Sequence, residues 1–524
     1  MKIHPKDNVA VAVRDVQPGH SVDGVVARIR IAAGHKIALR DIVRSEDVIK
    51  YGYPIGRASR DIAAGEHVHV HNVGSSMPQR ISAEMSSRSE RSAVAGSPSA
   101  SNVTGDQRFL QGGNPCTPLR YGRDNNAGGT FDGYRRSDGS VGIRNEIWIV
   151  NTVGCVNRAS ERIAREVMQT LKPDSGVDGV YAFTHPYGCS QLGDDLRYTQ
   201  KALAGLVRHP NAAAVLVLGL GCENNQLPSQ LEEVRRACSP GKQLRFFNAQ
   251  EVEDEIERGV RMVRELIEHA KQVRREPIPT AELILGMKCG GSDGFSGITA
   301  NPLVGRISNR LCGWGGTALL TEVPEMFGAE DVLLARSRDA SVAAAVTRLV
   351  NDFREYFRRH NQPIDENPSP GNKDGGITTN AEKSLGCVQK GGDAPIVDVL
   401  AYGESAKPGR GGVALINAPG NDAVSSTALT CAGAHMILFT TGRGTPMGFP
   451  VPTIKIATNT PLAQRKPNWI DFDAGPLLEP GASIDAMADA LMQLVLDVAS
   501  GVTRTRNELN DCREIAIWKD GVTL

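Results

Sequence analysis

The sequence lacks the features that would place it at a membrane, outside the cell or on a nucleic acid. It has no apolar run of the about eighteen residues that a membrane-spanning helix needs, and its N-terminal segment has no apolar stretch of signal-peptide type. Its 59 basic and 59 acidic side chains cancel, and no basic stretch alternates with aromatic residues, as nucleic-acid-binding segments do. We therefore expect a cytoplasmic protein that binds neither a membrane nor a nucleic acid.

Motifs that would identify a common ligand are also missing. No CxxC pair occurs among the ten cysteines, and thiols in a reducing cytosol rarely form disulfides. Neither a Walker A motif nor a GxGxxG fingerprint is present, so the sequence does not support nucleotide binding. The cysteines are therefore expected to be free thiols, core residues or metal ligands.

The chain is long enough for several domains, and its composition changes along its length. Residues 1–73 consist of short Val/Ile-rich segments with the repeat "IAAGHK" and "IAAGEH", which predicts a small β-rich domain. Residues 74–129 are rich in Ser, Arg, Asn and Gly, as flexible linkers are. In residues 130–275 and 276–524 apolar runs alternate with amphipathic stretches, which predicts two α/β domains with mostly parallel sheets.

Four apolar runs end in a cysteine beside glycine and polar residues. These cysteines are Cys155, Cys189, Cys222 and Cys289. Ligands bind beyond the carboxyl ends of parallel strands, and thiolates select iron, zinc or an iron–sulfur cluster. The alternative is that each cysteine is a small apolar residue at a tight turn. Cys238, Cys312 and Cys512 lack this context and are expected to lie outside any site.

Polar side chains accompany these cysteines. His185 lies close to two aspartates, as a general base or a metal ligand would, although a buried structural histidine is the alternative. Glu223, Asn224 and Asn225 follow Cys222, which favours a polyol-binding pocket over a simple helix cap.

Two glycine-rich loops offer backbone N–H groups and positive charge to an anion. The loop "CGGSDGFSGITANPLVG" follows Lys288 and contains Asp293, and "FTTGRGTPMGFP" contains Arg443. We expect Lys288 and Arg443 to bind an anionic substrate.

The segment "GEHVHVHN" places His67, His69 and His71 at alternate positions. On a β-strand these three imidazoles would share one face and could hold a metal. A solvated face of an edge strand is the alternative.

Longer motifs resemble those of the altronate/galactarate dehydratase family along nearly the whole chain. They include "VIKYGYPIG" and "IAAGEHVHVHN" in a region similar to a SAF (β-clip) domain, and then "GIRNEIWIVNTVGCVN", "RHPNAAAVLVLGLGCENNQ", "CGGSDGFSGITANP" and "ENPSPGNKDGGITT". The phrases "SQLGDD", "GCENNQ" and "WIDFDAG" favour altronate over galactarate as the substrate. The segment 74–129 is longer than the family leads us to expect.

The resemblance implies an iron-dependent hydro-lyase that dehydrates D-altronate to 2-dehydro-3-deoxy-D-gluconate in hexuronate catabolism. It implies Fe²⁺, with Mn²⁺ as an alternative ion, and leaves open a mononuclear site or an iron–sulfur cluster. We expect the four strand-end cysteines to surround the metal, and the catalytic residues to be His185, Glu223 and Asp293. Lys288, Arg443, Asn224 and Asn225 are the expected substrate-binding residues, and a homodimer is the expected assembly.

Two other functions are compatible with the sequence. One is a lyase that acts on galactarate or a related hydroxy acid and shares the same metal. The other is a module that only binds sugar acids, which the four polar strand ends of the α/β region argue against.

Overall fold

The computed structural model describes residues 1–76, 128–172, 175–238 and 241–521. Most of the predicted linker, residues 74–129, lies outside these ranges, so the linker and the predicted domain boundaries remain predictions. Within the described ranges no helix is both long and apolar enough to cross a bilayer.

The N-terminal domain is built from short antiparallel strands, as predicted. The strands are Val9–Val11, Ser21–Val22, Val25–Val26, Lys36–Ala38, Asp47–Lys50, Tyr53–Ala58, His67–Val68 and Val73–Gly74. The two repeat units have the same local structure: Ile31 and Ile62 are buried and each forms an isolated β-bridge. Gly34 and Gly65 follow them in left-handed turns with φ of +83° and +85°, a conformation that favours glycine.

The second domain contains a four-stranded parallel sheet. Its strands in spatial order are Gly179–Phe183, Glu146–Asn151, Ala212–Gly219 and Gln243–Asn248. Its helices are Asn157–Met168, Gly193–Arg208, Leu227–Ala237 and Glu255–Ala270. The central strand Glu146–Asn151 is buried along its whole length because helices cover both faces of a parallel sheet.

An antiparallel sheet of three strands joins the two α/β regions. Strand Thr130–Arg135 pairs with Val141–Gly142 on one side and with Glu276–Pro279 on the other. The start of the second domain is therefore hydrogen-bonded to the start of the third.

The C-terminal domain is built on a seven-stranded parallel sheet. In spatial order the strands are Ile396–Leu400, Gly412–Ile416, Thr317–Leu320, Ile284–Cys289, Met436–Thr441, Thr453–Ala457 and Phe472–Asp473. The helices are Ala300–Gly313, Glu330–Ala335, Ala340–Arg359, Pro370–Asp374, Asn380–Cys387, Asp422–Cys431, Thr460–Arg465, Ile484–Ala499 and Arg506–Leu509. The predicted fold class, a β-rich N-terminal domain followed by α/β domains with mostly parallel sheets, is confirmed.

Local residues determine where the last long helix begins and ends. Ser483 precedes the helix Ile484–Ala499, and its side chain accepts a hydrogen bond from the backbone N–H of Ala486. Leu491 and Val495, one turn apart, face the core. Gly501, with φ of +74°, lies just beyond the helix end, where a left-handed residue stops the helix.

A buried carboxylate is central to the docking of the N-terminal domain on the C-terminal domain. Glu382, in the helix Asn380–Cys387, accepts hydrogen bonds from Lys36 Nζ at 2.9 Å and from Lys50 Nζ at 2.8 Å. Burial opposes ionisation of Glu382, but the ammonium groups of Lys36 and Lys50 outweigh it and lower the pKa of Glu382 to about 2. Beside this contact, a Cβ on Gly294 would lie 1.9 Å from the carbonyl oxygen of Gly34. Only glycine fits where the two domains touch.

We expect Glu382→Gln to loosen this docking. A neutral amide would leave two buried ammonium groups without a counter-charge, and breaking a buried ion pair in this way costs about 3–5 kcal/mol. Hydrogen exchange in the strand Lys36–Ala38 should become faster. The control is Asp47→Asn, which removes an exposed pair with Arg57 worth about 0–1 kcal/mol; equal exchange in the two variants would contradict the expectation.

Candidate active site

The candidate site lies at the carboxyl edge of the seven-stranded sheet. The central strand Ile284–Cys289 ends in Lys288 and Cys289, and the neighbouring strand Thr317–Leu320 leads directly to Glu322. Glu322 has φ of +70°, a left-handed conformation that is uncommon for a residue with a Cβ. Such strained residues concentrate at functional sites. Parallel strands deliver their C-terminal side chains to one edge of the sheet, so these residues meet there.

Two buried thiols and one carboxylate form a compact set of donor atoms. Cys289 Sγ lies 3.3 Å from Cys387 Sγ, and each sulfur lies 3.0 Å from Glu325 Oε2. Cys387 is the last residue of the helix Asn380–Cys387, which therefore meets the strand end directly. In the described parts of the chain this is the one group in which three such ligand atoms lie within 4.8 Å of one another.

Three ammonium groups and three carboxylates surround the thiols: Lys288, Lys383, Lys390, Glu322, Glu325 and Asp422. Lys288 Nζ contacts Glu322 and donates to Asp422 Oδ1 at 2.8 Å. Lys383 Nζ lies 2.8 Å from Glu325 Oε1. The formal charges of these six groups cancel, which buried ions require.

The protonation of the thiols follows from these contacts. The hydrogen bond between the two sulfurs lowers the pKa of Cys289 to about 6, and the same bond together with burial raises the pKa of Cys387. Burial opposes ionisation of Glu325, but the ammonium groups of Lys383, Lys288 and Lys390 lower its pKa. At neutral pH the site therefore presents a thiolate, a thiol and a carboxylate.

A cavity of about 330 Å³ opens beside the donor atoms. Its polar lining comes from Cys289, Glu325, Asn367, Ser369, Asn372, Lys383 and Asp422, and its apolar lining includes Phe357 and Ile364. This volume is within the range of pockets that bind small molecules, and its many hydrogen-bonding groups suit a polar ligand.

Lys288, Asp293 and Arg443 lie around this edge in roles that differ from those expected. Lys288 is fully buried and donates to two carboxylates and to the Cys289 carbonyl, so its ammonium group is not available to a substrate. Asp293 accepts from the hydroxyls of Ser296 and Thr458, and burial raises its pKa. It joins the loop after the central strand to the residue that follows the strand Thr453–Ala457, two strands away in the sheet. Arg443 is exposed, and its backbone N–H donates to the Gly291 carbonyl.

The four predicted cysteine ligands are divided between two sheets. Cys155, Cys189 and Cys222 are exposed at the carboxyl edge of the four-stranded sheet, whereas Cys289 is buried beside Cys387 in the other sheet. Within the described residues Cys289 shares its donor set with Cys387 and Glu325 and with none of the other three cysteines, and the assignment of all four to the metal neighbourhood remains a prediction. The strand-end pattern is common to both sheets, and the sequence does not show to which sheet each strand belongs.

The predicted residues near these exposed cysteines are bonded within their own loops. His185 is buried; its Nε2 donates to the Asn151 carbonyl and its Nδ1 accepts from the backbone N–H of Tyr187. Glu223 accepts from the Thr152 hydroxyl and from the backbone N–H groups of Leu220 and Gly221. With both ring nitrogens occupied, His185 has none to offer a substrate, and the structure supports its structural alternative.

Asn224 and Asn225 also connect loops of this edge. The Asn224 side-chain oxygen accepts from the backbone N–H of Ser190 at 2.6 Å. Asn225 Nδ2 donates to the Thr152 carbonyl and to the Gln230 side chain. These carboxamides hold three strand-end loops together, which accounts for them without a bound polyol.

The histidines of the N-terminal domain gather into one cluster. The strand there is only His67–Val68, after which the chain turns, so the expected extended strand face is wrong. The rings still converge: those of His67 and His69 are stacked with centroids 5.4 Å apart, and His71 lies 5.2 Å from His67. His35, from the other repeat unit, completes the cluster. Burial lowers the pKa of His67 to about 4 and that of His69 to about 3, so both rings are neutral at pH 7.

Sequence reasoning missed Cys387, Glu325, Lys383 and Asp422. They lie in the segments "EKSLGC", "TEVPEMF" and "APGNDAV", none of which ends an apolar strand in a cysteine. The search for strand-end cysteines therefore passed over a ligand supplied by a helix.

Three family models match the chain. A SAF domain of altronate/galactarate dehydratases matches residues 1–76, the second domain of D-galactarate dehydratase/altronate hydrolase matches residues 133–271, and the C-terminal domain of D-galactarate/altronate dehydratase matches residues 280–523. The chain is 47% identical to the altronate dehydratase of Bacillus subtilis (strain 168), covering 100% of this chain and 99% of that protein.

Two further relatives come from Escherichia coli (strain K12). An altronate dehydratase is 47% identical and covers 100% of this chain and 99% of its own length. A galactarate dehydratase (L-threo-forming) is 33% identical and covers 96% of this chain and 93% of its own length. The chain belongs to the altronate/galactarate dehydratase family.

We expect His185→Gln to reduce stability while leaving the chemical step intact. The ring supports two backbone groups, and loss of such buried hydrogen bonds costs about 1–3 kcal/mol. The thermal midpoint should fall while kcat, measured well below that midpoint, stays within about threefold. A loss of kcat of a hundredfold or more in folded protein would restore the proton-transfer role predicted from the sequence, since general acid–base catalysis contributes about that much.

Proposed function

We propose that this protein is a hydro-lyase that converts D-altronate to 2-dehydro-3-deoxy-D-gluconate and water. The observation that carries the proposal is full-length similarity to two altronate dehydratases, at 47% identity each. The cavity beside Cys289, lined by carboxylates, an ammonium group and amides, supplies the groups that such a reaction needs.

Binding of the substrate begins with its carboxylate. Lys383 is the lysine that lines the cavity, and its ammonium group donates to Asn367 Oδ1 at 3.0 Å and to Asn372 Oδ1 at 3.1 Å. A substrate carboxylate that replaced one of these amide oxygens would form a hydrogen bond in which both the donor and the acceptor are charged. The Ser369 hydroxyl and the Asn367 side chain also line the cavity and are placed to bind the hydroxyls of the sugar chain.

The reaction removes the C2 proton and the C3 hydroxyl. Asp422 lines the cavity, and its side chain is 36% exposed, whereas Lys288 beside it is fully buried. We assign Asp422 as the base that takes the C2 proton, with Lys288 holding its carboxylate in place. The C3 hydroxyl takes up one proton and leaves as water. The resulting enol then gains a proton at C3 and releases the proton of its C2 hydroxyl, which gives the 2-oxo product.

The donor set fits a divalent iron ion. Two thiols and a carboxylate with mutual distances of 3.0 to 3.3 Å provide soft and hard ligands together. Because Cys289 is already a thiolate at neutral pH, a divalent ion that displaces the remaining thiol proton of Cys387 would balance the charges of the donor set and of the surrounding lysines and carboxylates. Cys289, Cys387 and Glu325 would hold the ion, and three donors leave positions open, as catalytic sites require.

Bound iron would act as a Lewis acid for negative charge that develops on the substrate. Iron–sulfur clusters are held by cysteines, or by two cysteines together with two histidines. The donor set offers two thiols and no histidine, so we propose a mononuclear ion at this site. Thiolate ligands favour Fe²⁺ over Mn²⁺. A homodimer and a cytoplasmic location, both expected from the sequence, remain predictions.

The substrate is tested by assaying anaerobically purified protein on D-altronate, galactarate and related sugar acids, with detection of the 2-oxo-3-deoxy product. We expect the highest kcat/KM on D-altronate. A higher value on galactarate, the substrate named for the more distant relative, would replace the proposed substrate but keep the reaction class.

We expect Cys289→Ser and Cys387→Ser to lose bound iron and turnover together. Each change removes a thiolate ligand, and chelation of the wild-type protein should have the same effect, reversed by Fe²⁺. The matched control is Cys312→Ser, since Cys312 is also buried but lies in the helix Ala300–Gly313, away from the donor set. Stoichiometric iron in both site variants, measured by elemental analysis, would contradict the assignment.

We expect Asp422→Asn to lower kcat by about 10²- to 10⁴-fold with little change in KM, because an amide cannot take a proton. The matched control is Asp485→Asn, which changes an exposed aspartate in the first turn of another helix. A primary isotope effect with substrate deuterated at C2 should accompany the slower step. A rise in KM at unchanged kcat would instead assign Asp422 to substrate binding.

A further inference from the structure

We propose that His35, His67 and His69 form a second metal site, which binds a divalent transition ion through imidazole nitrogens alone. The site lies in the N-terminal domain where that domain meets the C-terminal domain. It is separate from the thiol site and does not depend on the proposed reaction.

The spacing of the rings is that of ligands around one ion. The centroid of His35 lies 5.1 Å from that of His67 and 4.9 Å from that of His69, and the third side of the triangle is 5.4 Å. With metal–nitrogen distances of about 2.1 Å and tetrahedral angles, the centroids of three imidazoles on one ion lie about 5 Å apart. The backbone therefore already holds the rings at the separation that binding requires.

The hydrogen bonds fix which nitrogens face the proposed ion. His35 Nε2 lies 3.2 Å from the Asp374 carbonyl oxygen, which can only accept, so Nε2 carries the proton and Nδ1 has the lone pair. His69 Nδ1 bonds to the Thr378 hydroxyl at 3.1 Å, which leaves Nε2 free. Metal-binding histidines usually have such a second partner on the other ring nitrogen.

The remaining ligand is already in contact with His35. His67 Nε2 lies 3.0 Å from His35 Nδ1, close to the about 3.3 Å that separates two nitrogens bound to one tetrahedral ion. Binding requires the proton of His67 to move to Nδ1 and the rings to rotate, because the three ligand atoms do not yet lie within 4.8 Å of one another. Neutral imidazole is the form that binds metals.

The environment of the cluster suits a metal that reinforces domain docking. Asp374 and Thr378, which support His35 and His69, belong to the C-terminal domain, and both precede Glu382, the carboxylate on which the two domains meet. The nearby ammonium group of Lys36 is bonded to the Gly376 carbonyl and to Glu382. His71 is exposed next to His67 and can supply a fourth nitrogen or leave that position to water.

The test is titration of the metal-free, full-length protein with Co²⁺, followed by visible absorption and elemental analysis. We expect two ions per chain in the wild-type protein. One should give thiolate-to-metal charge-transfer absorption, and the other only d–d bands of an imidazole site. Cys387→Ser should lose the first signal and keep the second, so failure of the proposed iron site and failure of this site are distinguishable.

His67→Gln and His69→Gln should each lower the Co²⁺ affinity of the imidazole site. Loss of a hydrogen bond that only supports a ligand lowers metal affinity by about 10- to 100-fold, and loss of a ligand should lower it further. His20→Gln is the matched control, since His20 is an exposed histidine of the same domain outside the cluster. Unchanged Co²⁺ affinity in both cluster variants, or an equal loss in the control, would overturn the proposal.

A second measurement leaves all the histidines in place, so it does not depend on whether the histidine variants fold. X-ray absorption at the zinc edge of Cys387→Ser loaded with one Zn²⁺ should show nitrogen ligands with imidazole scattering and no sulfur. Sulfur in the first coordination shell, or no bound Zn²⁺ at all, would overturn the proposal.

Discussion

The ammonium group of Lys288 is fully buried at the carboxyl end of the central strand, in contact with Glu322 and Asp422. A buried charge of this kind is tolerated only when opposite charges surround it. Glu322 reaches it from the end of the neighbouring strand, and Asp422 reaches it from the start of a helix. The need to neutralise Lys288 thus brings three chain segments together, and the thiol pair and the cavity lie between those segments.

The same helix connects this site to the N-terminal domain. Glu382, Lys383 and Cys387 lie in the helix Asn380–Cys387; Glu382 is bonded to Lys36 and Lys50, whereas Lys383 and Cys387 both contact Glu325. Undocking the N-terminal domain would leave Glu382 without its counter-charges and disturb the turn that carries Lys383. The positions of Cys387 and Lys383 therefore depend on contacts with the N-terminal domain, although that domain supplies no residue to the donor set.

Much of the fold was predictable because it follows from local patterns. The strands Ile284–Cys289 and Met436–Thr441 are runs of apolar residues, and the helix Ile484–Ala499 has an apolar stripe between Ser483 and Gly501. The site was predictable only in part. Cys289 was found because it ends a strand, but Cys387 ends a helix 98 residues later, and Glu325 lies in a short turn. His185 has the residue type of a catalyst, yet its partners are backbone atoms that no sequence pattern displays.

The sequence by itself determined the family, the order of sheet and helix, and the clustering of polar groups at strand ends, because these depend on neighbours along the chain. The tertiary structure decided which strand ends share a sheet, and so separated Cys155, Cys189 and Cys222 from Cys289. It also brought His35, from the other repeat unit, into contact with His67. The strand expected to align His67, His69 and His71 is only two residues long, so packing and not strand periodicity gathers these rings. Metal binding depends on distances of a few ångströms between side chains, and those distances are set by how the sheets and domains pack.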